Sequence, residues 1–181
     1  MEEYEYLRTL TSDVNSFALD QLMQDFGQDV WNFAYFLTRD RHASDDISQE
    51  VFLRAFRSVK DFRGESTVKT WLLKITRNLS FNHRNSAFLR RVTLFEWVRR
   101  SDTATSAEHE FMDREAANEI WRIILDLPLH YREVLLLDLQ HEMTIQEMAG
   151  VLGVSEGTVK SRLHRARAKV SKKLQEVGVH E

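Results

Sequence analysis

Two carboxylates at Asp45-Asp46, followed by Gln49 and Glu50, are the residues here that most resemble an acid–base set. Adjacent helical positions point about 100° apart, so the pair does not converge on one substrate atom. The seven His show no metal-ligand spacing, and no phosphate-cradling Gly loop or nucleophile–base set is present. Cysteine is absent, which removes thiolate metal sites and thiol nucleophiles. Catalytic chemistry is therefore disfavoured, and the expectation is a non-catalytic protein with no metal, no cofactor and no small-molecule substrate. What remains is charge arranged for phosphate. The formal net charge is −3, but residues 1–25 hold six acids against one Arg. Lys74, Arg77, Arg84, Arg90 and Arg91 crowd residues 71–91 without an acid, and residues 155–173 hold seven Lys/Arg against Glu156. A local footprint of this kind suffices for nucleic acid.

The first basic stretch is interleaved with aromatics. A helix over 66–85 would bury Val68, Trp71, Leu72, Ile75 and Leu79 and turn Thr70, Leu73, Lys74, Arg77, Phe81 and Arg84 outward. Exposed aromatics beside cations suit single-stranded DNA, whose bases stack while its phosphates seek charge. The preceding loop, Lys60-Asp61-Phe62-Arg63-Gly64-Glu65, could hold a flipped-out base. By composition alone, Phe62 and Phe81 could equally be core residues.

The second stretch continues a recognisable motif. Thr144-Ile145-Gln146-Glu147 is a capping box, Gly153 suits the left-handed residue that ends a helix, and Ser155 caps the next one. Val159, Leu163, Ala166, Val170 and Leu174 form an inward stripe, with Gly157, Ser161, His164 and Ala168 opposite and Thr158, Lys160 and Arg165 at the flanks. Two helices joined at such a turn fit a helix-turn-helix with the second helix in the major groove. There Lys160, Arg162 and Arg165 could reach phosphates or guanine edges.

These segments need helices to hold them. With 6 Gly, 1 Pro and 43% hydrophobic residues, the chain is expected to be all-α. Apolar spacing predicts helices over 13–26, 28–39, 44–59 and 66–85, with Ser44 and Ser66 as N-caps of the last two. A second set is predicted over 116–126, 130–140, 144–152 and 156–174. The small polar run Ser101-Asp102-Thr103-Ala104-Thr105-Ser106 reads as linker. The expectation is two small helical domains, 1–88 and 116–181, joined by a flexible linker over 89–115. On the 44–59 helix, Ile47, Val51, Ala55 and Ser58 form one side, while Asp46, Gln49, Glu50, Leu53 and Arg57 form a polar face with an exposed Leu. Such a face suits protein docking, although alone it would more often be ordinary solvated surface. The acidic start lacks the basic and apolar regions of a signal peptide, and no apolar run reaches membrane-spanning length, so a cytoplasmic protein is expected.

Asp45-Asp46-Ile47-Ser48-Gln49-Glu50-Val51-Phe52, Phe62 to Leu72, Ile75-Thr76-Arg77-Asn78, Leu127-Pro128, Tyr131-Arg132-Glu133-Val134 and the Thr144–Arg167 stretch occur in this order. Together they resemble a bacterial sigma factor of the sigma-70 superfamily, in the extracytoplasmic-function (ECF) group. The resemblance covers about residues 17–85 and 116–175. It implies that the first domain matches family region 2 and the second family region 4. By that likeness Asp46, Gln49, Glu50, Leu53 and Arg57 dock on the β′ clamp of core RNA polymerase. Phe62, Arg63 and Gly64 would belong to the loop that captures an unstacked −10 base, with Lys74, Arg77, Asn78, Phe81 and Arg84 facing the melted strand. Ser155, Gly157, Thr158, Lys160, Ser161, Arg162, His164 and Arg165 would serve the −35 element, and the second domain would touch the β flap. Promoter DNA, core polymerase and a membrane-anchored anti-sigma factor are the implied partners, and a stress or envelope response the implied setting. The chain departs from the pattern at Asn82-His83, where many relatives carry an acid, and in its aromatic linker segment Leu94-Phe95-Glu96-Trp97-Val98. When free, such a chain is expected to pack its DNA-binding faces together or against an inhibitor. The competing reading is a stand-alone helix-turn-helix regulator, which gives no reason for the 45–84 block.

Overall fold

The computed structural model describes residues 16–59, 62, 64–93 and 119–178, and every regular element among them is a helix. Three helices form the first group: α1 (Ser16–Thr38), α2 (Arg41–Ser58) and α3 (Val68–Thr93). Four form the second: α4 (Glu119–Leu125), α5 (Leu129–Leu139), α6 (Ile145–Leu152) and α7 (Glu156–Gly178). Arg63 and residues 94–118 lie outside the described residues.

Several boundaries differ from the sequence expectation. The helices expected over 13–26 and 28–39 are one, because Gly27 sits inside α1 with open space where a Cβ would stand. A lone Gly costs only about 1 kcal/mol in a helix, too little to end one that packs along its length. α2 begins earlier than expected, capped by Asp40, whose side chain accepts from the Ala43 N–H, while Ser44 is buried one turn inside. Thr67 rather than Ser66 receives the first-turn N–H of α3, that of Thr70 at 3.1 Å. α3 then runs on to Thr93, so the first residues of the expected linker are helical.

Each group has an apolar centre, but the larger core is shared. Val30, Ala34, Ile47, Val51, Ala55 and Leu72 pack within the three-helix group. Phe33, Phe36 and Leu37 of α1 and Leu73 of α3 instead join Ile124, Val134, Leu136, Met148, Val151 and Leu163 of the second group. α5 lies at the centre of this second cluster. Arg132 to Leu137 are all buried, as expected of a helix surrounded by protein. The two groups are therefore closed on one another, with α3 against α6 and α1 against α5.

Polar ties run along the same boundary. Arg132 donates to the Phe36 carbonyl at 2.8 Å and to the Leu127 carbonyl at 3.2 Å, and Arg84 donates to the Leu37 carbonyl at 2.8 Å. At Phe36 and Leu37 these guanidiniums satisfy carbonyls left open at the C-terminus of α1, where positive charge is favoured. Burial, with the cations Arg39 and Arg84 nearby and Asp126 opposing, lowers the Arg132 pKa to about 10, which leaves it charged at neutral pH. Asp29 of α1 takes Lys69 of α3 at 2.8 Å and stands 3.6 Å from buried His141 in the α5–α6 turn. Burial raises the Asp29 carboxyl pKa, but His141 and Lys69 outweigh it and hold the group below its ordinary value.

Candidate nucleic-acid and protein-docking surfaces

The helix-turn-helix forms as its residues dictate. Thr144 accepts from the Glu147 N–H at 3.3 Å while the Glu147 carboxylate accepts from the Thr144 N–H at 2.8 Å, closing the capping box. Gly153 adopts φ +65° and donates its N–H to the Ala149 carbonyl, so the chain reverses where a residue without a Cβ penalty stands. Ser155 accepts from the Thr158 N–H at 3.2 Å. Val159, Leu163 and Ala166 are buried, with Val170 and Leu174 half-buried, as the inward stripe requires. Ser155, Gly157, Lys160, Ser161, His164 and Arg165 are exposed on the outer surface of α7, and Thr158 is half-buried beside its cap. Arg162 is the exception among the expected −35 residues. It turns back to Glu133 of α5, with its guanidinium 3.0 Å from the carboxylate.

The α3 surface differs more from expectation. Of the six positions read as outward, Thr70 and Leu73 are buried, Leu73 wholly so in the shared core. Arg77 donates through Nε to the Glu133 carboxylate at 2.9 Å, and its guanidinium lies 4.4 Å over the Phe81 ring. Arg84 is exposed yet tied to the Leu37 carbonyl. Lys74 and Asn78 remain exposed. Covered positions follow from the second helical group, which helical periodicity within α3 could not reveal.

Phe62 stacks at a tilt on Trp71, ring centroids 5.0 Å apart, and is half-buried against the first core. Gly64 takes φ +70°, which a flexible residue supplies at this turn. Phe62, Glu65, Ser66, Thr70, Trp71 and Lys74 line a cleft of about 400 Å³ whose far side is Gly150 of α6. That volume lies in the range of small-ligand sites, large enough for a base. Of the residues expected to meet a flipped base or the melted strand, Phe62 and Lys74 line this cleft, while Gly64, Arg77, Asn78, Phe81 and Arg84 do not, and Gly150 of α6 stands with them.

On α2 the two sides separate at most of the expected positions, with Ser58 and Glu50 both half-buried. Ile47, Val51 and Ala55 are buried. Asp46, Gln49 and Arg57 are exposed, Leu53 is 42% exposed, and half-buried Glu50 accepts from Arg54 at 2.6 Å. Asp45 is not part of this row. It accepts from the Trp31 indole N–H at 2.7 Å and ties α2 to α1.

Glu133 is the residue that local sequence pattern reveals least. Its signal is its setting, since a charged pair, Arg132-Glu133, opens an otherwise apolar stretch, and buried charges need partners. Among the described residues no group of three or more His, Asp or Glu is placed to hold a metal ion. None of the described helices is long and apolar enough to cross a membrane.

Comparison with known proteins matches residues 22–92 to the sigma-70 region 2 family and residues 117–170 to sigma-70 region 4. The chain is 34% identical over 161 residues to the ECF RNA polymerase sigma factor SigC of Mycobacterium tuberculosis, covering 84% of this chain and 81% of that protein. The structure of CnrH in complex with the cytosolic domain of CnrY superposes with TM-score 0.68 at 25% identity, covering 96% of this chain and 97% of that one. The sigma factor RpoE of Bartonella quintana, solved with the anti-sigma factor NepR, shares the fold with TM-score 0.65 at 21% identity, over 86% of this chain and 96% of that one.

Proposed function

This chain belongs to the ECF family of RNA polymerase sigma factors, and from that premise we propose how its surfaces divide the family's work. It is a promoter-specificity subunit that binds core RNA polymerase and directs transcription initiation, and it performs no catalysis of its own. The α2 row Asp46, Gln49, Glu50, Leu53 and Arg57 docks on the β′ clamp. The cleft at Phe62, with Arg63 and Gly64 of the same loop, receives an unstacked −10 base, and Lys74, Arg77, Asn78, Phe81 and Arg84 take the melted strand. Ser155, Gly157, Thr158, Lys160, Ser161, His164 and Arg165 read the −35 duplex, with Arg162 contributing from the edge of that surface where Glu133 holds it, and the second domain meets the β flap. Domains over 1–88 and 116–181 with a tether between them would gain effective concentration on a promoter whose two elements are correctly spaced.

The observation that carries this reading is one chain holding both an exposed polar-and-Leu row on α2 and an open helix-turn-helix surface on α7. A stand-alone regulator would need only the second. A membrane-anchored anti-sigma factor holding a cytoplasmic chain until an envelope or stress signal is the regulation we propose. Purified protein added to core polymerase should start transcripts at discrete genomic sites that core alone ignores. Failure to bind core polymerase would sink the reading.

A further inference from the structure

One carboxylate joins the two basic helices. Glu133, 1% exposed on α5, accepts from Arg77 through both oxygens, from Nε at 2.9 Å and from Nη2 at 3.5 Å, and from Arg162 Nη1 at 3.0 Å through the second of them. Arg77 belongs to the first helical group, whereas Arg162 shares the second group with Glu133. Phe81 lies beneath the same Arg77 guanidinium at 4.4 Å. We propose that Glu133 is a positioning residue for both promoter contacts. It fixes Arg162 on the recognition helix in every state, and it withholds Arg77, with the Phe81 face, from the melted strand until the two groups part.

The proposal rests on the roles given above to Arg77 and Arg162. A buried carboxylate is costly without a cationic partner, so at least one guanidinium must stay with Glu133 when the groups separate. Arg162 stays, because α5 and α7 pack within one group. Arg77 leaves with α3, and a DNA phosphate can replace the carboxylate it loses, an exchange of one bidentate anion for another. Nucleic acid therefore competes for Arg77 on nearly equal chemical terms. Glu133→Gln keeps the shape but removes the charge, leaving two guanidiniums at one neutral amide. Their repulsion then favours the separated form.

The native chain has no Cys, so single cysteines at exposed Asn85 on α3 and Gln175 on α7 can carry a donor–acceptor dye pair. Energy transfer in the free, full-length protein should change in the same direction in Glu133→Gln and Arg77→Gln, both reporting separation. Binding to a duplex bearing the upstream element of a mapped start site should then divide the variants. Glu133→Gln should lose at least tenfold in affinity through misplaced Arg162, Arg77→Gln should lose far less, and Glu133→Asp should recover most of the loss. Unchanged transfer in Arg77→Gln would overturn the latch, and equal duplex defects in the two variants would overturn the positioning role. If Glu133→Gln lacks the helical circular-dichroism signal of the native chain, Arg77→Gln and Glu133→Asp decide alone. The dye measurement needs no polymerase, so a failed latch and a failed family assignment give separate results.

Discussion

α3 and α7 are both basic helices with small or aromatic residues among their cations, yet the fold treats them differently. On α7 the outer surface from Gly157 to Arg165 is open to solvent apart from Arg162, which is turned to Glu133. On α3 Leu73 is sealed in the shared core, Arg77 is taken by Glu133, and Gly150 of α6 walls the cleft at Phe62 and Trp71. The surface proposed to read duplex is thus available in the closed chain, while the one proposed to open strands is partly covered, with Lys74, Asn78 and Arg84 still exposed. A factor built this way could meet duplex DNA without exposing the aromatic groups that attack base stacking. Melting would wait for an event that pulls α3 from α6.

The contrast can be broken most severely at its apolar centre. Leu73→Ala should cost about 2–5 kcal/mol, the range for emptying a buried Leu site, read as a lower midpoint in urea unfolding. His164→Ala, on the open surface of α7, should stay within about 0.5 kcal/mol. Equal costs would mean that Leu73 is not sealed by the second group.

A gentler change tests a third surface against both. Reversing charge at Asp46 and Glu50 and truncating Leu53 to Ala should weaken core-polymerase association strongly while moving unfolding stability by only roughly 0.5 kcal/mol per site. Normal affinity for core in this triple variant would remove α2 from the docking role.

The smallest effect concerns pH at the boundary. The Asp29 carboxyl is held below its ordinary pKa of 3.8, so its contribution to stability is present above that value and is lost as pH falls below it. Asp29→Asn should therefore lower stability at neutral pH and flatten the decline below about pH 4. Parallel acid-unfolding curves for the two proteins would show that the Lys69 and His141 contacts do not stabilise the closed form.

Local rules account for what the sequence made legible. The Thr144–Glu147 box, Gly153 and the Val159–Leu163–Ala166 stripe each depend on residues within a few positions of one another, and each formed as read. The buried and exposed sides of α2 separated for the same reason. Gly27 misled because tertiary packing overrides a single weak helix former. Thr70, Leu73 and Arg77 were read as outward because their own helix already had an apolar side. The burial of Leu73 and the capture of Arg77 depend on the second helical group, whose residues in α5 and α6 lie some fifty to eighty positions away in the chain. Glu133 shares that character, as a polar residue whose role appears only when two distant arginines arrive.

The division of labour between the two basic helices meets its most direct test on a template already mismatched across the −10 region. Phe62→Ala should slow open-complex formation about tenfold or more on duplex promoter, since stacking on one aromatic contributes roughly 1–3 kcal/mol per base. On the premelted template that defect should disappear, whereas the defect of Arg165→Ala should persist because it concerns upstream duplex. Rescue of both variants, or of neither, would contradict the assignment of melting to α3 and duplex reading to α7.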